Sequence, residues 1–356
     1  MTRSMLVLSG LFAVISISFA QPSGLRQARP VHPDGMRPIR VPGMPVRTVD
    51  EAVKNPEAVV RLDLSGQTGF TDLSFLGQLV NLQHLRLVGC GLTEIPASLE
   101  RCVALEILDL RNNRITKVPA ILSKLPKLKV IILSDNDGGF ASIPELAALE
   151  RLTLDRCRLE RIPSGIGACR QLKEITLDDN SLGRIDPDIA QLDKLESISV
   201  AHNRLTEYPS ILTGIESLKN INVSFNHIDS LRATDFNKPG LQELVIAGNG
   251  LTALPARMDN PDLLSLNADT NQITAIPASI AACSKLVRLS MAHNRIRSLP
   301  REIGQCKQLQ LIDVSGNDLL DLPVSELVDL PVLQTLKIAR NPQAPDSPDV
   351  VPNIRR

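Results

Sequence analysis

Leu286 to Gln308 reads LVRLSMAHNRIRSLPREIGQCKQ, and nearly every other stretch between residues 59 and 341 is a variant of it. Aligned on the Asn at the ninth place, the variants start at Val59, Leu82, Leu105, Leu128, Leu149, Leu172, Leu195, Leu218, Leu241, Leu263, Leu286, Leu309 and Leu333, most of them 23 residues apart. A fixed period in the twenties signals a solenoid, in which one repeat cannot bury its own apolar face and must stack on the next. Positions 3 to 7 alternate, so Leu289 and Met291 point inward while Arg288, Ser290 and Ala292 point outward, as in a short strand. Stacked parallel at about 4.8 Å, thirteen such strands give a sheet about 60 Å long.

Position 9 marks the turn out of the strand. A side-chain amide there offers two donors and an acceptor to backbone groups that have lost their strand partners. Ten repeats supply it, as Asn113, Asn136, Asn180, Asn203, Asn226, Asn249, Asn271, Asn294, Asn317 and Asn341, while Gln67, Cys90 and Cys157 stand in for it elsewhere. An apolar residue and Pro follow at positions 14 and 15, as in Ile95-Pro96, Val118-Pro119 and Leu299-Pro300. Proline fixes its own φ and biases its predecessor to extended geometry, so the outer side opens as an extended turn before a short helical piece such as Ser98 to Cys102.

Apolar residues at positions 1, 4, 6 and 11 with Asn at 9 resemble the leucine-rich repeat family. The resemblance implies an α/β horseshoe solenoid, with a parallel sheet of about 13 short strands on the concave face and short helical or extended turns on the convex face. The stretch DEAVKNPEAVVRLDLSGQ, followed by repeats of the LTEIPASLERC type, is similar to secreted or cell-envelope repeat proteins of Bacteroidetes-like bacteria. That likeness implies a fold and a setting, not a ligand.

Composition narrows the function. At 356 residues a chain would ordinarily split into two or three globular domains, but a solenoid grows lengthwise and remains one. Lys plus Arg equals Asp plus Glu at 39 each, Trp is absent and Tyr occurs once, which argues against nucleic acid and against stacking platforms for bases or sugars. Five His are too few and too scattered for a metal site. Glycine-rich phosphate loops, HExxH and GxSxG are missing, so no enzyme activity and no cofactor is expected. Asp155, Asp178 and Asp179 on neighbouring strands are read as a solvated or partner-facing patch rather than a cation site. Cys90 and Cys157 occupy position 9, and Cys102, Cys169, Cys283 and Cys306 the apolar position 21, so the six read as small core residues. An even count in an exported chain also admits a bridge, with Cys283 and Cys306 the pair to watch.

Residues 1–20, MTRSMLVLSGLFAVISISFA, carry one basic residue, an apolar run from Met5 to Phe19 and a small-x-small end before Gln21, which reads as a secretory signal. An apolar run of about 15 is short for a membrane span, which needs roughly 20; no span is expected after cleavage, and the expected location is secreted, periplasmic or cell-surface. Residues 21–47 hold six prolines and five arginines against one acid and read as a solvated, disordered linker, with Arg26, Arg29, Arg37 and Arg40 available to an anionic envelope surface. Residues 48–341 form the repeat domain, whose helical cap (48–58) opens with Thr48-Val49-Asp50-Glu51, the pattern of a capping box. Residues 342–356 read as a disordered tail. Two repeats depart from the pattern, at Asp137 to Phe140 and at Leu231-Arg232.

The functional reading is a non-enzymatic module that binds another protein on its concave sheet. Alternatives are a structural spacer that organises the envelope, or an intracellular scaffold resembling the Ras-suppressor type, which conflicts with the signal. Outward residues unlike the repeat consensus single out strands three to six: Ile107, Val130 and Ile132 as an apolar centre, Arg111 beside them, and Arg151, Asp155, Glu174 and Asp178 on the next two strands. An apolar centre bordered by both charges is how interface hot spots are built.

Overall fold

The computed structural model describes residues 44–342; the signal-like segment, the Pro/Arg-rich segment through residue 43 and the tail from 343 lie outside the described residues. Thirteen strands form one parallel sheet in chain order. They are β1 (Arg61–Asp63), β2 (His84–Arg86), β3 (Ile107–Asp109), β4 (Val130–Ile132), β5 (Arg151–Thr153), β6 (Glu174–Thr176), β7 (Ser197–Ser199), β8 (Asn220–Asn222), β9 (Glu243–Val245), β10 (Ser265–Asn267), β11 (Arg288–Ser290), β12 (Leu311–Asp313) and β13 (Thr335–Lys337). Each pairs equivalent positions, as in Leu62↔Leu85↔Leu108, so the sequence register is the strand register. The result is a leucine-rich repeat solenoid with its sheet on one side and short helical turns on the other.

The outer turns are mostly single turns of 3₁₀-helix, such as Ala97–Arg101 and Arg301–Gln305, entered through the expected Pro. Their apolar member, Leu99 or Ile303, is buried with positions 1, 4, 6 and 11 in one continuous core. Ahead of the array, α1 (Val49–Lys54) starts at Thr48, whose Oγ1 accepts from the Glu51 N–H at 3.2 Å. Val46, within the segment read as a linker, pairs with Leu62, so the chain joins the sheet edge two residues before the helix cap.

The Asn column works as its chemistry dictates. Asn226 Nδ2 donates to the carbonyls of Val200, Val223 and Ser224 at 3.0, 3.1 and 3.1 Å, and Oδ1 accepts from the Leu205 N–H at 2.9 Å. One side chain thus ties two repeats. Cys90 and Cys157 keep part of this, their thiols donating to the Leu64 and Leu133 carbonyls at 3.3 and 3.2 Å. All six cysteines are buried free thiols, Cys283 and Cys306 included.

Where the repeat breaks, phenylalanine fills the gap. The loop from Asp137 turns Phe140 inward to 1% exposure, above a fourth repeat that has no outer helical turn. In the eighth repeat a short helix, α2 (Ala233–Phe236), replaces the 3₁₀ turn and buries Phe236 completely. The same repeat places Lys238 in the slot that Cys or Leu fills elsewhere, 1% exposed, with Nζ donating to the Ile215 carbonyl at 2.6 Å. Burial holds that amine below its ordinary pKa. α3 (Val324–Val328) closes the outer side of the twelfth repeat.

Candidate functional site

The residues singled out on the concave face do stand on adjacent strands, but the structure corrects what two of them present. Ile107 is only 5% exposed and Val130 only 3%. They pair in register across β3 and β4 and are flanked by His84 and Arg151, so each is covered by its neighbours. Outward-pointing side chains cover one another in this way when long residues flank them in adjacent strands. Ile132, half-buried, is the apolar residue of the three that offers surface.

The charged members are engaged with one another. Arg111 makes a two-pronged contact with Asp109, Nε to Oδ1 at 3.0 Å and a terminal nitrogen to Oδ2 at 2.9 Å, and the carboxylate is almost wholly buried. Arg151 Nε meets Glu174 Oε2 at 2.8 Å across β5 and β6. Asp155 Oδ1 accepts from the Asp178 N–H at 2.9 Å, and its Oδ2 accepts from Thr176 Oγ1 at 3.1 Å and Ser134 Oγ at 3.3 Å. Asp178 repeats the arrangement one repeat on, accepting from Ser199 Oγ at 2.6 Å and the Ala201 N–H at 2.7 Å. Asp269 repeats it again with Ser290 and the Ala292 N–H.

These three aspartates at position 7 therefore buttress the strand end of the following repeat, satisfying backbone groups there. Burial pushes the Asp155 carboxyl up to about 6, with the Asp178 charge adding to it, and raises Asp178 and Asp269 as well. A sequence signal for the device exists in the Asp followed 21 residues later by Ser or Thr. Among the described residues no group of three or more His, Cys, Asp or Glu gathers as a metal site.

Sequence reasoning missed the rim above the strand ends. Position 8 is left-handed in all thirteen repeats, from φ 52° at Arg156 and His202 to 78° at Gly66. Along this row Arg156 pairs with Asp135 at 2.5 Å and with Asp179 at 3.5 Å. One repeat further the His202 and Phe225 rings stack, with centroids 4.3 Å apart and planes 10° from parallel. On the opposite, outer side, the short fourth repeat leaves a groove of about 620 Å³ lined in part by Arg158, Arg161, Asp186 and Asp188.

The family model of a leucine-rich repeat region matches residues 58–268. A leucine-rich repeat protein of Leptospira interrogans is similar in structure, with TM-score 0.73 and 25% identity over 84% of this chain and 88% of that one. The plant peptide hormone receptor RGFR1, solved in complex with RGF2, is similar with TM-score 0.63 and 25% identity over 80% of this chain and 48% of that one. Among curated proteins, the volume-regulated anion channel subunit LRRC8E of Homo sapiens is 34% identical over 101 residues. That match takes in 27% of this chain and spans only 13% of the human protein.

Proposed function

Since the chain belongs to the leucine-rich repeat family, we propose that it is an exported, non-enzymatic module that recognises another protein on its concave sheet. One observation carries the reading: the sheet is unequal along its length. β4 to β6 present Ile132, the Arg151–Glu174 pair and a cluster of carboxylates, whereas β7 and β8 present Ser197, Ser199, Asn220 and Asn222. A spacer needs no such patch. The similar plant receptor is a peptide hormone receptor solved in complex with RGF2, which supports a protein ligand here. Export rests on residues 1–20 and places the array outside the cytoplasm, in the envelope or beyond it.

The test uses the full chain as affinity bait in the cells that make it, followed by binding measurements with each captured protein. Ile132→Asp and Arg151→Glu are expected to weaken binding at least tenfold, and Arg288→Glu, exposed on β11, to leave it unchanged. Ser290 is unsuited as the control because its hydroxyl serves Asp269. A partner lost on Arg288→Glu and kept by the other two variants would place the site elsewhere. A native mass that retains Met1 would refute export, since the mature chain is expected to begin at Gln21.

A further inference from the structure

Every repeat is left-handed at position 8, and most repeats place there a residue that tolerates it, such as Gly66, Gly89, Asn112, Asp135 or Gly316. Glycine has no Cβ to crowd the following carbonyl, and Asn or Asp offsets the crowding with a short polar side chain. Phe225 departs from this, with φ at +53°, as do Arg156, Thr270 and Arg340, and of these four it alone carries an aromatic ring. A bulky residue holds that conformation only where its surroundings impose it, and such residues collect at functional positions. Burial does not compensate, because the side chain is 46% exposed.

Its neighbours are fitted to it. One face lies on the His202 imidazole. On the other side is Gly248, where an added Cβ would sit 2.4 Å from Phe225 Cδ1. Three successive repeats thus combine to hold one aromatic ring at the rim with its edge toward solvent. Beside it the strand ends carry Ala201, Ser224 and Ala247, all small and buried, so nothing projects to keep a second main chain away.

The same row becomes anionic toward the N-terminus. Along it Asp135 and Asp179 flank Arg156, which pairs with both, and the partly buried Asp155 and Asp178 lie one position below. Asp179 stands two repeats before Phe225, half exposed. At the strand spacing that is about 10 Å, which an extended chain covers in about three residues.

We propose that the rim from Asp179 to Phe225 binds an extended segment of a partner protein, in which a basic side chain meets Asp179 and an apolar side chain two or three residues away packs on the Phe225–His202 stack. The proposal rests on the protein-binding reading and gives the partner its chemistry. The excess of carboxylates selects the basic residue, and the ring, with the bare Gly248 and Ala247 beside it, selects the apolar one.

The experiment selects a random dodecapeptide phage library on the full chain, then measures the enriched peptides by fluorescence polarisation on wild type, Phe225→Asn and Asp179→Asn. Asparagine accepts the left-handed backbone, so Phe225→Asn removes the ring without disturbing the turn, and its melting temperature is expected to match or exceed that of wild type. Enriched peptides are expected to share Lys or Arg two or three residues from an aliphatic or aromatic residue, and each variant to weaken them at least tenfold. Unchanged binding by both variants overturns the proposal, as does a Phe225→Asn chain that melts several degrees lower while binding normally, since the ring is then only structural. Peptides sensitive to Ile132→Asp and Arg151→Glu but not to the rim variants overturn the rim and leave the concave-sheet reading standing. No enrichment over the naive library overturns the rim proposal, while the concave-sheet reading stands or falls on the affinity capture.

Discussion

Asp155→Asn isolates the cost of a buried carboxylate on the concave face. Asp155 is raised from 3.8 to about 6, chiefly by burial and next by Asp178. A folded-state pKa above the unfolded one means that the folded chain holds the proton more tightly, so stability falls as pH rises from about 4 to above 6. Two pK units correspond to about 3 kcal/mol. Asparagine keeps the shape, leaves Oδ1 to accept from the Asp178 N–H, and turns Nδ2 toward the hydroxyls of Thr176 and Ser134, which can reverse their bonds. The variant should therefore resemble wild type at pH 4 and exceed it at pH 7 by about 3 kcal/mol. Asp178 and Asp269 are raised too, but they are present in both proteins and drop out of the difference. The assay is urea denaturation at fixed ionic strength from pH 4 to 8, read as the difference in midpoint. A difference that stays flat with pH would show that Asp155 ionises normally in the folded chain and that the buttress is not buried as described.

The Asn column predicts that Asn226→Ala costs on the order of 1 to 3 kcal/mol, because it leaves the Leu205 N–H and the carbonyls of Val200 and Val223 short of partners. Lys219→Ala, which removes an exposed pair with Glu196, should cost at most about 1 kcal/mol, and equal denaturation midpoints for the two would refute the buried role. The thiols should be silent in the native chain at neutral pH, since burial pushes Cys102 and Cys306 up to about 11 and Cys157 and Cys283 up to about 12. Denatured without reductant, the chain should then titrate six thiols, and four or fewer would reveal a bridge.

The fold was legible because its period is written in single letters. Leu at positions 1, 4 and 6 and Asn at 9 each answer a local demand, for burial or for a hydrogen bond, and each recurs in the same place. The register of the sheet followed at once, as Leu62, Leu85 and Leu108 show. The site was less legible, because its properties belong to columns of residues about 23 apart rather than to any stretch of chain. Ile107 and Val130 alternate outward as expected, yet exposure depends on the strands to either side, where His84 and Arg151 stand in register beside them. Nothing within either repeat says so.

The same reasoning explains both the buttress and the rim. Asp155 read within its own repeat is a free acid on a sheet; read with Thr176 and Asp178 it is a bond to the next strand. Phe225 alone is one exposed aromatic, which surfaces carry without consequence. Set between His202 and Gly248 it is a ring that three repeats accommodate. Lys238 stands three residues before Leu241, as Cys283 does before Leu286 and Cys306 before Leu309, so its slot too is marked by the column and not by its own repeat. In a solenoid the neighbours of residue i are i+21 and i+23, so a departure from consensus acquires meaning from the column it sits in. Whether a departure serves binding or packing is decided by what the column does around it: Asp155 is answered by hydrogen-bond donors on the next strand and so joins the repeats, at a cost once it ionises, while Phe225 keeps its ring half bare at a turn that is left-handed in every repeat, which packing alone does not require.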